Sequence, residues 1–254
     1  MWKGKKVSLI FPTYNEKDSI CEAILDFSSE GEVVDEIVVV NNNAAPGTSE
    51  EILRTSAREV HEPLQGYGAA IRRGFREVSG ELIIVAEPDG TFVGRDILKL
   101  LAYAEDFEVV YGSRTVKELI WRGANMGLFL KWGNYFVAKL MEVLFNTTSL
   151  TDVGCTLRCI QKDALRDMEP LFSIQGSFFG PEMMVLSTLM KMRMIQIPVN
   201  YTKRVGTSAV TGNKLVAFLL GLRMIRLILS YRARSWIFQK KYARRSKRAS
   251  SQTP

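Results

Sequence analysis

A chain of 254 residues with 46% hydrophobic and 24% charged residues has the balance of one large folded domain or two small ones, with disorder confined to an end. Three cysteines, Cys21, Cys155 and Cys159, are an odd count that argues against a disulfide framework, and a single histidine leaves a zinc site short of ligands. The net charge of +7 is uneven: thirteen Lys and Arg and no Asp or Glu follow residue 200, whereas the first 200 residues carry 21 basic against 27 acidic groups. The basicity therefore belongs to the C-terminal segment and does not make the body of the chain a nucleic-acid binder.

Residues 7–11 predict a first strand that runs into PTYNE, where Thr13 or Asn15 caps a helix through Ile20, Ala23, Ile24 and Phe27. The opening MWKGKKVSLIFPTYNE has no small-residue cleavage site and does not read as a signal peptide. Residues 35–40 are apolar almost throughout, as central parallel strands are, and end in NNNAAPGTSEE, with Thr48 or Ser49 opening the next helix. A short strand near residues 59–61 leads into EPLQGYGAAIRRGFREVSG, where Gly66 and Gly68 loosen the backbone before a helix. Residues 82–86 form a fourth strand ending in EPDGTF, residues 96–103 a helix, and residues 108–112 a fifth strand ending in GSR.

Strand and helix alternating at short spacing predict an open parallel sheet with PTYNE, NNNAAPGT and EPDGT along one edge, a nucleotide-binding half. No GxGxxG follows the first strand, and no GKS or GKT marks a P-loop. Residues 121–145 are apolar and aromatic, with Asn125, Lys131 and Asn134 interspersed, and predict one or two helices. TDVGCTLRCI then puts Asp152 in a turn before a strand in which Thr156, Arg158 and Ile160 alternate with Leu157 and Cys159; Cys155 and Cys159 are assigned to core packing. A helix opens at Pro181, residues 194–201 are a strand, and KRVGTSAVTGNK is a loop rich in Gly, Ser and Thr.

The chemistry concentrates in EPDGTF. Side chains at i and i+2 of an extended segment point the same way, so Glu87 and Asp89 can share one hard divalent cation that bridges to a diphosphate, with Pro88 stiffening the bend. The same six residues also read as an ordinary strand-end turn.

PTYNE, the polar cluster after the second strand, EPDG, YGSR and TDVGCTLR, in that order, resemble family 2 glycosyltransferases of the GT-A fold, and within them the polyprenol-phosphate (dolichol-phosphate) mannosyl and glucosyl synthases. The resemblance covers roughly residues 5–215 and implies an α/β GT-A domain, a mostly parallel sheet flanked by helices. It further implies that Pro12, Tyr14, Glu16, Asn42, Gln65 and Arg204 hold the nucleotide sugar, with Asn42 where the family usually keeps an Asp. Glu87 and Asp89 match the DxD that holds Mg2+ or Mn2+, and Thr91 stands where a Gln often helps. Arg114, Arg122, Lys131 and Arg158 are implied at the acceptor phosphate; Asp89, Asp152 and Arg114 are the catalytic candidates. Glu182 matches a helix-entering Glu, and Lys214 replaces a lysine usually found soon after Arg204.

The implied reaction is inverting transfer of a hexose from a nucleotide-diphosphate sugar to a polyprenyl phosphate, whose ionised oxygen needs no general base. Transfer to a sugar hydroxyl, in cell-surface polysaccharide or glycolipid synthesis, would need a carboxylate such as Asp152 to remove a proton. A catalytically weak GT-A-like binding module is the alternative from another class. A nucleotidyltransferase is disfavoured because PTYNE is neither glycine-rich nor basic.

The reading divides the chain into a GT-A domain at 1–212, an amphipathic membrane-facing helix at 213–239 and a basic disordered tail at 240–254. Residues 215–229 carry only Arg223 and Arg226 as charges, three apart on one face, too short and too charged a stretch to span a bilayer. Beyond it, Arg232, Arg234, Lys240, Lys241, Arg244, Arg245, Lys247 and Arg248 interleave with Trp236, Ile237, Phe238 and Tyr242, a pattern suited to an anionic lipid surface, with nucleic acid the runner-up partner. Peripheral attachment at the cytoplasmic face, beside a lipid-linked phosphate acceptor, is expected.

Overall fold

The structure, a computed structural model, describes residues 1–29, 32–124, 127–206 and 214–236. Its strands are β1 (Val7–Thr13), β2 (Glu36–Asn41), β3 (Arg58–His61), β4 (Leu82–Val85), β5 (Val109–Ser113), β6 (Arg158–Gln161) and β7 (Met194–Pro198). They form one sheet in the order β3-β2-β1-β4-β6-β5-β7. Only β6 runs antiparallel to its neighbours β4 and β5; the other pairings are parallel. The helices are α1 (Lys17–Ser29), α2 (Thr48–Ile52), α3 (Tyr67–Glu77), α4 (Asp96–Tyr103), α5 (Leu128–Phe145), α6 (Lys162–Met168), α7 (Phe179–Leu189) and α8 (Lys214–Ala233). The chain is thus the expected α/β, GT-A-like arrangement, and the alternation read from the first half is the observed β1 to β5.

Both faces of the sheet are covered, which is why its central strands read as continuous apolar runs. Period-two alternation divides them between two cores: Leu9, Phe11, Val39, Ile84 and Val110 on the face of α1 and α4, Ile10, Val38, Val40, Val85 and Tyr111 on the other. On α1 the apolar stripe Ile20, Ile24 and Phe27 is buried as its helical spacing predicts. Cys155 and Cys159 lie in the first core, and burial pushes both thiols up to about 12, so they are inert packing groups.

Some boundaries differ from the sequence reading. β1 extends through Pro12 and Thr13, because its outer edge keeps pairing with β2 to Asn41 after its ladder with β4 has ended at Ile10 and Val85. α7 begins at Phe179, so Pro181 sits inside the first turn, where a missing N–H costs nothing. β7 stops at Pro198, and Tyr201 pairs instead with Ile120.

Residues 121–145 contain a single described long helix, α5. α8 packs into the same core as the domain through Met224, Ile228 and Tyr231, and the Tyr231 hydroxyl donates to Glu182 Oε1 at 2.8 Å. Its outward side carries Arg223 and Arg226 as expected, but also half-exposed Leu219, Leu222 and Leu229, so apolar residues surround the helix instead of forming one stripe. No helix among the described residues is long and apolar enough to cross a membrane. The expected basic tail, most of the loop after Arg204 and the Lys214 side chain fall outside what is described.

Candidate active site

The sheet changes direction between β1 and β4: connections leave β1 toward β2 and β4 toward the opposite flank, and a crevice opens beyond the carboxyl ends of the two strands. Pro12 helps make that opening. In a parallel strand alternate residues face each neighbour; Ile10 O accepts from Ala86 N, so Pro12 faces β4 and lacks the N–H that would continue the ladder. A cavity of about 930 Å³ occupies the crevice. Pro12, Tyr14, Glu16, Glu87, Thr91 and Arg204 border one end, Arg114 and Arg158 its floor, and α5 and α8 the other end.

The EPDGT turn is tightly organised. Asp89 is fully buried; its Oδ1 accepts from Thr91 N at 2.9 Å and Thr91 Oγ1 at 2.5 Å. Thr91, expected to help hold a metal, thus has its hydroxyl engaged in orienting Asp89. Gly90 adopts φ +76°, a conformation that L side chains disfavour, and this turns Asp89 and Thr91 toward each other. Asp89 Oδ2 accepts no hydrogen bond and is ion-paired with Arg204 Nη2. The same nitrogen lies 3.0 Å from Glu87 Oε2, and Arg204 Nη1 lies 3.9 Å from Glu16 Oε1. Burial and the Asp89 charge push the Glu87 carboxyl up to about 8 against the pull of Arg204.

These oxygens fit a divalent ion: a buried carboxylate oxygen whose close partner is the Arg204 guanidinium, beside a second carboxylate, belongs to a hard donor pair. No group of three or more His, Cys, Asp or Glu side chains able to hold a metal occurs among the described residues. Mg2+ and Mn2+ suit such a site, since one or two carboxylates with substrate phosphates and water complete their coordination.

The PTYNE loop is pinned by its own glutamate. Glu16 Oε2 accepts from Tyr14 N at 2.7 Å, Asn15 N at 2.9 Å and Thr13 Oγ1 at 3.3 Å, leaving Tyr14 44% exposed at the rim. Glu16 is thus a loop-former as well as a neighbour of Arg204. Asn42 borders the cavity, and its amide is engaged within the protein. Its Nδ2 donates to Glu62 O and Leu64 O, and its Oδ1 accepts from Gly66 N and Gln65 Nε2. Every donor and acceptor of that amide is occupied, so Asn42 ties the end of β2 to the 62–66 loop and holds Gln65 at the cavity wall. Gly66, at φ +151°, passes so near Gln175 that a Cβ would stand 2.3 Å from its carbonyl oxygen.

On the floor, Arg114 and Asp152 form a bidentate pair: Nε to Oδ2 at 2.8 Å and Nη2 to Oδ1 at 3.0 Å. Asp152 also accepts from Arg114 N and Gly154 N. Burial opposes its ionisation, but the Arg114 charge and these hydrogen bonds outweigh it and hold the carboxyl below its ordinary range. The guanidinium also lies over the Tyr201 ring, 5.0 Å from its centroid. With both oxygens committed to Arg114, Asp152 is an orienting group and is poorly placed as a general base. Arg158 is 1% exposed and donates to Cys155 O, Thr156 O and Met183 Sδ; no carboxylate pairs with it among the described residues. Arg122 is exposed and Lys131 half-buried, and neither borders the cavity, so the structure does not bring them to the acceptor group expected of them.

Two contributors carry no local signal in the sequence. Asp96, buried at the start of α4, holds Asn200 through its N–H at 2.5 Å and its amide at 2.9 Å, and so fixes the segment bearing Tyr201 and Arg204. Glu182 accepts from Ser173 N, Ile174 N and Tyr231 Oη, clamping α8 beside the cavity. Asp96 looks like any first-turn acid in the sequence, and only the resemblance singled out Glu182.

With this geometry in hand, comparison with known proteins shows the family and matches the fold. The profile described as Glycosyl transferase family 2 matches residues 8–168. An undecaprenyl-phosphate 4-deoxy-4-formamido-L-arabinose transferase of Salmonella choleraesuis (strain SC-B67) is 28% identical over 214 residues, 79% of this chain and 61% of the relative; the corresponding Salmonella newport (strain SL254) protein gives the same values. The chain therefore spans about three-fifths of the length of these curated relatives. Among solved structures, Mycobacterium tuberculosis glucosyl-3-phosphoglycerate synthase with Mn2+, UDP-glucose and phosphoglyceric acid superposes with a TM-score of 0.68 at 15% identity, covering 91% of this chain and 80% of the other. The same enzyme with Mn2+, UDP and glucosyl-3-phosphoglycerate gives 0.66 at 16% identity, covering 90% and 80%.

Proposed function

Because the chain belongs to glycosyl transferase family 2, we propose that it transfers a sugar, by inversion, from a nucleoside-diphosphate sugar to the phosphate of a polyprenyl lipid. A hexose is the sugar class expected from the sequence motifs. The observation that carries the reading is a single cavity lined by Glu16, Glu87 and Arg204, by Arg114 and Arg158, and by apolar residues of α5 and α8.

At the polar end, Glu87 and Asp89 would hold Mg2+ or Mn2+, which supplies charge stabilisation for the departing diphosphate. Arg204 is within reach of the same oxygens, and Pro12, Tyr14 and Gln65 border the space for the nucleoside. On the floor, Arg114, kept cationic and oriented by Asp152, and Arg158, buried without a carboxylate, suit a phosphate nucleophile. The commitment of Asp152 to Arg114 favours this acceptor over a sugar hydroxyl, which would need a free base at that point.

The apolar surface of α5 and α8 supports a lipid acceptor. α5 exposes Leu128, Trp132, Phe136 and Val143, and α8 exposes Phe218, Leu219 and Leu222 beside the cations Arg223 and Arg226. Large apolar side chains rimmed by arginines suit the interface of an anionic bilayer, so the chain attaches peripherally, at the cytoplasmic face, with its cavity opening toward the lipid.

The test is transfer from labelled UDP- and GDP-sugars, with MnCl2, to undecaprenyl or dolichyl phosphate. Label passing into the organic phase only with the phosphorylated lipid supports the reading; transfer to soluble saccharides and none to either lipid overturns it.

A further inference from the structure

One guanidinium serves three carboxylates at the polar end of the cavity. Arg204 Nη2 is shared between Asp89 Oδ2 and Glu87 Oε2, while Nη1 faces Glu16. The arginine is fixed to the turn it neutralises: Val205 N donates to Asp89 O at 2.9 Å, Thr202 N to Thr91 O at 2.8 Å, and Thr202 Oγ1 to Gly90 O. Its Cα therefore moves with the carboxylates, whereas its side chain is 20% exposed and borders the cavity.

A cation arriving alone must compete with this arrangement. It would gain two carboxylates while displacing a guanidinium already paired with both, and no third His, Cys, Asp or Glu completes a cage among the described residues. A cation arriving with a diphosphate gains phosphate oxygens, and the displaced guanidinium gains a new anionic partner that its planar fork matches. The two ligands then help each other, and the help is reciprocal because it is an equilibrium property.

Resting on the donor-binding part of the proposed function, we infer that Arg204 is an internal counter-cation that excludes a lone divalent ion from Glu87 and Asp89 and yields them when ion and diphosphate bind together. It couples metal and donor binding, and disfavours a site loaded with metal but empty of donor.

Mn2+ binding, followed by the loss of the free-ion electron paramagnetic resonance signal, tests this without any transfer reaction. Titrations of MnCl2 alone, and with UDP or GDP, are compared among the wild type, Arg204→Gln and Arg204→Lys. Arg204→Gln should bind Mn2+ alone at least tenfold more tightly than the wild type, and the factor by which a nucleoside diphosphate tightens Mn2+ should shrink by at least tenfold. Arg204→Lys, which keeps the charge and loses the fork, should bind Mn2+ alone a few-fold more tightly; this variant decides the matter should Arg204→Gln fail to melt cooperatively. Mn2+ affinity without nucleotide that is unchanged or weaker in the folded variants overturns the inference. A wild type that binds neither UDP nor GDP with Mn2+ overturns the donor reading instead, and the comparison of Mn2+ alone still decides the role of Arg204.

Discussion

Two arginines border the same crevice in opposite surroundings. Arg114, 11% exposed, meets one carboxylate in a bidentate pair whose oxygens have further N–H donors. Arg204, 20% exposed, meets three carboxylates, and the buried Asp89 Oδ2 beside it accepts no hydrogen bond. The first group is closed: one cation and one anion, oriented by each other and by Tyr201. The second holds more carboxylates than cations, and either a proton on Glu87 or an incoming cation can balance the excess. How many carboxylates surround an arginine, more than how deeply it is buried, separates a positioned side chain from a receiving site.

The largest expected effect lies at the receiving site. Asp89→Asn keeps the shape of the turn, since its amide oxygen can still accept from Thr91, but removes the charge on which a divalent ion depends. Metal-dependent transfer should fall on the order of a thousandfold, the scale associated with removing one well-aimed charge-stabilising group. Steady-state rates, with circular dichroism to verify the fold, check this; near wild-type turnover would erase the proposed distinction between the two arginines.

The closed pair should respond through stability. Asp152→Asn leaves Arg114 buried without its counter-charge and should cost about 3 to 5 kcal/mol in urea unfolding, the range for breaking one side of a buried pair. The effect has a pH signature. A carboxyl whose pKa is lowered on folding contributes its stability in full above its unfolded value, about 3.9, and loses it as pH falls through the folded value. The gap between wild type and Asp152→Asn should therefore be constant near neutrality and narrow below about pH 4.

Much of this contrast was legible beforehand, for unequal reasons. That two carboxylates follow the fourth strand is legible from LIIVA, and β4 brings Glu87 to the crevice; Asp89 is buried in the bend that follows, which the period of an extended chain does not describe. The pairing of Arg114 with Asp152 was not legible, because they lie 38 residues apart and meet only after β6 inserts antiparallel between β4 and β5. Asn42 was placed by sequence at the end of β2 and does border the cavity, but the bonds of its amide to a loop twenty or more residues on leave no local pattern. α8 was recognised as a helix, yet pairwise contacts such as Tyr231 with Glu182, which seat it on the core, leave no local pattern.

A smaller perturbation of the closed pair comes from Gly154→Ala. A Cβ there would stand 2.8 Å from Arg114 Nη2 and 2.7 Å from Asn134 Oδ1, so both side chains must shift. Overpacking of this kind costs about 1 to 3 kcal/mol. If the floor binds the acceptor phosphate, KM for the lipid should rise with little change in Mn2+ or nucleotide affinity, which separates the floor from the polar end.

The smallest effect is expected from Glu16→Gln, and it bears most directly on the idea of surplus charge. The substitution keeps an oxygen for the Tyr14 and Asn15 N–H groups, so the loop should survive. What it removes is the weakest of the three contacts to Arg204, a partly exposed ion pair at 3.9 Å, and such pairs contribute about 0 to 1 kcal/mol to stability. Unfolding should therefore barely change. Mn2+ binding in the presence of UDP or GDP should nevertheless weaken by a few-fold, because a negative charge near Arg204 is gone, and the loss should shrink as added salt screens the rest. Unchanged Mn2+ affinity at low salt would mean that Glu16 only shapes the loop, and that the receiving site is the Glu87 and Asp89 pair alone.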